Sequence, residues 1–147
     1  MTHRIKLALL LVPGTLAAAT ASAQPGGVTL TATLTGAAEV PGPGDTDGSG
    51  SFTTTINPGA KQICYTITVA GIDTPTAAHI HKGSTTEAGP VFVPLVTPPI
   101  GTSNACVNVT SRQAAAILSK PSDYYVNVHT APPFAAGAIR GQLSRGG

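Results

Sequence analysis

Tryptophan is absent from this chain, acidic residues number six, and only two cysteines occur in 147 residues. Each shortage narrows the function. The acids, Glu39, Asp45, Asp47, Asp73, Glu87 and Asp123, are scattered, which gives hydrolysis by paired carboxylates little support. No G-x-S-x-G, no phosphate-cradling glycine loop and no H-E-x-x-H occurs. No internal repeat divides the chain. Beyond the N-terminus no apolar stretch is long enough to span a bilayer, so no transmembrane segment is expected.

The first residues read as a secretory signal over 1–23. His3, Arg4 and Lys6 form a basic start, Leu7 to Val12 an apolar run, and Ala21-Ser22-Ala23 a small-residue cleavage site. The mature protein, residues 24–147, is then a single exported domain, secreted or periplasmic. Eight basic residues face six acidic ones in the whole chain, and Arg4 and Lys6 leave with the signal, so the two signs balance. A balanced chain has no basic patch for nucleic acid or an anionic membrane. In an exported domain, Cys64 and Cys106 are expected to form a disulfide worth roughly 2–4 kcal/mol.

What is present is a series of alternating Thr/Val-rich runs between Gly/Pro turns, the pattern of an all-β fold. An antiparallel, Greek-key-like β-sandwich or barrel with one short helix is expected. Strands are predicted at Val28–Leu34, Ser51–Ile56, Gln62–Val69, Ala77–His81, Val91–Leu95, Ala105–Val109, Tyr124–His129 and Ala138–Leu143. The helix is predicted at Arg112–Leu118, capped by Thr110 with Gln113 reaching back. Glu39 to Gly50 and Lys82 to Pro90 read as loops.

Alternation then sorts the polar residues. His79, His81, Asn127, His129, Arg140 and Gln142 fall on outward positions, as do Cys64 and Cys106. His79 and His81 are two residues apart on one strand, so their rings point the same way, roughly 7 Å apart at the backbone. With His129 they form a candidate three-histidine set for copper or zinc. The competing reading has these histidines bonding loop backbone and fixing the sheet. Asp45-Thr46-Asp47-Gly48-Ser49-Gly50 resembles half a calcium loop, but position twelve is Ile56, and a turn is favoured. Arg140 is a candidate clamp, for an anion or for a structural partner such as Glu39. Gly141 beside it would admit a neighbouring backbone.

Five ordered segments resemble the CHRD domain family. They are Glu39-Val40-Pro41, Ala77-Ala78-His79-Ile80-His81-Lys82-Gly83, Gly89-Pro90-Val91, Tyr125-Val126-Asn127-Val128-His129-Thr130 and Gly137-Ala138-Ile139-Arg140-Gly141-Gln142-Leu143. Ala138 departs from the family pattern, which usually has an acid there. The resemblance implies an extracellular β-rich domain. A weaker similarity is to copper–zinc superoxide dismutase, through the H-x-H strand and a later histidine. Two functions follow as expectations. One is a non-catalytic binding or structural module acting on a protein or surface partner. The other is a mononuclear copper or zinc protein, with redox activity if copper binds with an open position.

Overall fold

A computed structural model describes residues 26–146. The predicted signal at 1–23 lies outside the described residues. Nine strands form one antiparallel sheet: β1 (Val28–Thr35), β2 (Ser49–Asn57), β3 (Gln62–Ala70), β4 (Ala77–Lys82), β5 (Val91–Pro94), β6 (Gly101–Asn108), β7 (Tyr124–His129), β8 (Ile139–Gln142) and β9 (Ser144–Arg145). A single α-helix among the described residues, α1 (Ser111–Ser119), follows β6.

The strand order is β5-β4-β7-β8-β1-β2-β3-β6, with β9 also paired to β1. The sheet curls into a nearly closed barrel whose end strands are β5 and β6. The first three strands form a meander, and the chain then crosses to the far side of the sheet to lay down β4 and β5 before returning to β6. That crossover makes the connectivity Greek-key-like rather than a simple up-and-down barrel.

Alternation explains the core. Ile63, Tyr65, Ile67 and Val69 on β3 are all at most 1% exposed. They meet Leu30 and Leu34 of β1, Phe52 of β2, and Val126 and Val128 of β7 in one apolar cluster. Tyr65 stacks on Phe52 at 5.1 Å, and its hydroxyl accepts from the Val96 amide at 2.9 Å, so its polar tip is not left unpaired. At Gly141 a Cβ would run into the Thr33 carbonyl, so only glycine lets β8 approach β1 there.

Helix α1 forms as its sequence dictates. Thr110 Oγ1 accepts from the Gln113 amide at 3.1 Å, and Gln113 Oε1 accepts from the Thr110 amide at 2.9 Å. The same Gln113 side chain donates to the Phe92 carbonyl at 3.0 Å, tying the helix start to end strand β5. Cys64 and Cys106 are register partners on β3 and β6, with Cα atoms 4.0 Å apart, and they are disulfide-bonded.

Two sequence expectations need correction. The strand predicted at Ala105–Val109 is longer and begins at Gly101, and β9 was not anticipated. In addition, the outward face of β4, β7 and β8 is not solvent-facing over most of its area. Parts of the two segments that read as loops, Glu39 to Gly50 and Lys82 to Pro90, fold back over it. Tyr125, Asn127 and Arg140 are at most 2% exposed, Glu39 5% and His81 8%.

Candidate metal centre

Strand β7 runs between β4 and β8, and its register decides which side chains meet. Ala77 pairs with His129, His79 with Asn127 and His81 with Tyr125 on one side. On the other, Asn127 pairs with Arg140 and Tyr125 with Gln142. His79, His81 and His129 therefore lie on one face, in three successive same-face rows of the β4–β7 pair. One nitrogen from each ring lies within 4.8 Å of one from each of the others. Among the described residues, this is the one such group of histidine, cysteine and acidic side chains.

Backbone carbonyls settle the tautomers of two rings, because a carbonyl can only accept. His129 Nδ1 lies 3.1 Å from the Ala135 carbonyl, so Nδ1 carries a proton and Nε2 is the nitrogen turned to the other rings. His81 Nδ1 lies 2.8 Å from the Gly89 carbonyl, so its Nε2 presents a lone pair. His79 Nδ1 is 3.0 Å from His129 Nε2, so the two nitrogens share one proton. Burial, followed by the neighbouring His129 and His81 rings, holds His79 below the usual imidazole range. Burial does the same for His81, against the opposing effect of its bond to Gly89. Both rings are neutral at neutral pH, the form that ligates a metal.

The lone pair of His81 Nε2 is buried and has no hydrogen-bond partner. Asn127 Oδ1, Glu39 Oε1 and Gln142 Oε1 are likewise buried without a partner, and the Asn127 side chain is within hydrogen-bonding reach of the His81 ring. Buried acceptors without donors are uncommon in native proteins and call for an explanation. A cation beside His81 supplies one. The donor set fits zinc or copper: three imidazoles, two of them held through their second nitrogen by a backbone carbonyl. In a tetrahedral zinc site with bonds of about 2.0–2.1 Å, ligand nitrogens stand roughly 3.3 Å apart. The His79–His129 pair at 3.0 Å is already near that spacing.

The remainder of the buried face supports His81. Its ring stacks on Tyr125 at 4.9 Å and 6°, and the Arg140 guanidinium lies 3.4 Å from the centre of the Tyr125 ring. Arg140 donates to the Ser84 and Glu87 carbonyls, and Gln142 donates to the Gly83 and Ser122 carbonyls at 2.7 Å each. The Gly89 amide donates to the Tyr125 hydroxyl at 3.1 Å. The Arg140 hydrogen bonds go to backbone carbonyls of the 83–90 segment. Glu39 lies within electrostatic reach. Burial pushes the Glu39 carboxyl from 4.5 up to about 7, against the opposing pull of Arg140, the Val40 amide and the Asn127 side chain. Gly137, at φ 156°, packs directly against that carboxyl, where a Cβ would collide with it.

The calcium-like run is a turn. Asp45 Oδ1 accepts from the Asp47 amide at 3.2 Å, and the chain enters β2 two residues later. Sequence reasoning missed Glu39, Tyr125 and Gln142 as members of the buried layer. Alternation names the face a side chain occupies but not the segment that covers it.

No helix among the described residues is long and apolar enough to cross a membrane. No curated protein and no solved structure matches the chain, so the similarity to copper–zinc superoxide dismutase has no support beyond the histidine pattern. The family model of the CHRD domain matches residues 30–143, which takes in the three histidines, the disulfide and the buried polar layer, and the chain belongs to the CHRD domain family.

Proposed function

We propose that this is an exported CHRD domain that holds one zinc or copper ion through His79, His81 and His129. The observation that carries the reading is the buried Nε2 lone pair of His81, without a donor and within 4.8 Å of ligand nitrogens on two other histidines. One proton lies between His79 Nδ1 and His129 Nε2, two of the three rings. A metal ion replaces that proton if His79 moves it to its other nitrogen. His81 and His129 need no change of tautomer, because the Gly89 and Ala135 carbonyls already hold theirs. Bound there, zinc supplies Lewis acidity and copper supplies redox chemistry. The protein's own part is to hold three imidazoles on one sheet face and to bury one of them. Export is supported by the family's extracellular character and by the Cys64–Cys106 disulfide.

The test is calorimetric titration of metal-stripped mature protein with zinc and with copper, repeated on His81→Ala and His129→Ala. Binding of one ion per chain that is lost in both variants, with the fold retained by circular dichroism, supports the reading. Absence of binding, or binding that survives both substitutions, overturns it and leaves the histidines as fasteners of the 83–90 and 130–137 segments.

A further inference from the structure

The charge balance around the three histidines leads one step further, resting on the metal reading above. All three donors are imidazoles, and among the described residues no carboxylate or thiolate joins the group. Glu39, the acid of the buried layer, is outside the group, and Asn127 interacts with both Glu39 and His81. Arg140 is 1% exposed and its positive charge is felt at His81. Glu39 is the acid that faces Arg140 in this layer, and a divalent ion adds two further positive charges beside a ligand group that contains no anionic side chain. Uncompensated charge in a partly desolvated site is costly, and an anion from solution relieves it.

The site is also open on one side. His81 is buried, while His79 and His129 are partly exposed and lie toward the Ala77–His129 end of the β4–β7 pair. An ion held by the three rings has its buried flank against His81 and its other flank toward solvent. We propose that the fourth ligand of the metal is a small external monoanion of the carboxylate or azide type, so that this face is an anion-binding site that exists only when the metal is bound. The competing arrangement closes the site with Asn127 Oδ1 as the fourth ligand.

Cobalt(II), whose visible absorption reports coordination, is the probe. The mature protein is loaded with cobalt and titrated with sodium azide and separately with sodium acetate, and cobalt affinity is measured with and without azide. The expected result is a saturable change in the cobalt bands by both anions. By linkage, azide at ten times its own dissociation constant then raises cobalt affinity about tenfold. His81→Ala should abolish cobalt binding and the anion response together. If cobalt binds the wild type but azide leaves spectrum and affinity unchanged, the anion site is overturned while the metal site stands. A response to azide only in Asn127→Ala overturns it too, because Asn127 is then the fourth ligand. If cobalt does not bind at all, the metal reading fails and this inference falls with it.

Discussion

His79 Nδ1 lies 3.0 Å from His129 Nε2, although the two residues are fifty positions apart in the chain. The contact exists because β4 and β7 are antiparallel neighbours with Ala77 opposite His129 and His79 opposite Asn127. The cross-strand diagonal then brings the two rings together at a centroid distance of 5.0 Å.

A metal held by this pair and His81 binds the folded chain and not the unfolded one. Zinc at a hundred times its dissociation constant should therefore stabilise the protein by about 2.7 kcal/mol. For a domain of this size that is roughly a 5–15 °C rise in Tm. Differential scanning calorimetry with and without zinc checks it, and His129→Ala should show no rise.

Arg140 fastens the 83–90 segment through the Ser84 and Glu87 carbonyls while lying against Tyr125. Arg140→Met keeps the length of the side chain but leaves both carbonyls without that donor. It should cost about 2–4 kcal/mol in urea denaturation. Limited proteolysis of the variant should cut first within residues 83–90. Unchanged stability and an unchanged cleavage pattern would mean that other contacts hold the segment.

Glu39 keeps its proton in the folded state up to about pH 7, whereas in the unfolded chain it loses it near 4.5. The folded protein therefore binds more protons between those values, and stability falls as pH rises through that window. Glu39→Gln removes a group that must ionise in a buried place. Its stability curve should be flatter from pH 5 to 8, with a gain over wild type at pH 8 on the order of 2 kcal/mol. Parallel curves for the two proteins would show that Glu39 is ionised at its ordinary pH.

Cys64 and Cys106 join β3 to end strand β6 across a sequence separation of 42. Cys64→Ser with Cys106→Ser should lower stability by roughly 2–4 kcal/mol. A thiol assay on unreduced, denatured wild-type protein should find no free thiol, and two thiols would contradict the bridge.

Much of the frame was legible in the sequence. The alternation of Ile63, Tyr65, Ile67 and Val69 located β3 and its buried face, and Thr110 with Gln113 located the start of α1. The first half of β6 was not legible, because Gly101 to Asn104 carries no apolar alternation and every second residue of this end strand is exposed. The histidines could be placed on a common face, but their meeting depends on which strands pair, and no local pattern encodes that. The buried polar layer was hidden for another reason. Glu39 and the 83–90 segment belong to Gly/Pro-rich stretches that read as loops, and only their hydrogen bonds to Arg140, Gln142, His81 and Tyr125, and the burial of Glu39, show that they cover the sheet.

The most direct test of the central claim is calorimetric titration of metal-stripped protein with zinc and copper, beside His81→Ala. One ion per chain bound by the wild type and none by the variant is the result this account predicts. No heat of binding with either metal, or the same heat in both proteins, would contradict it.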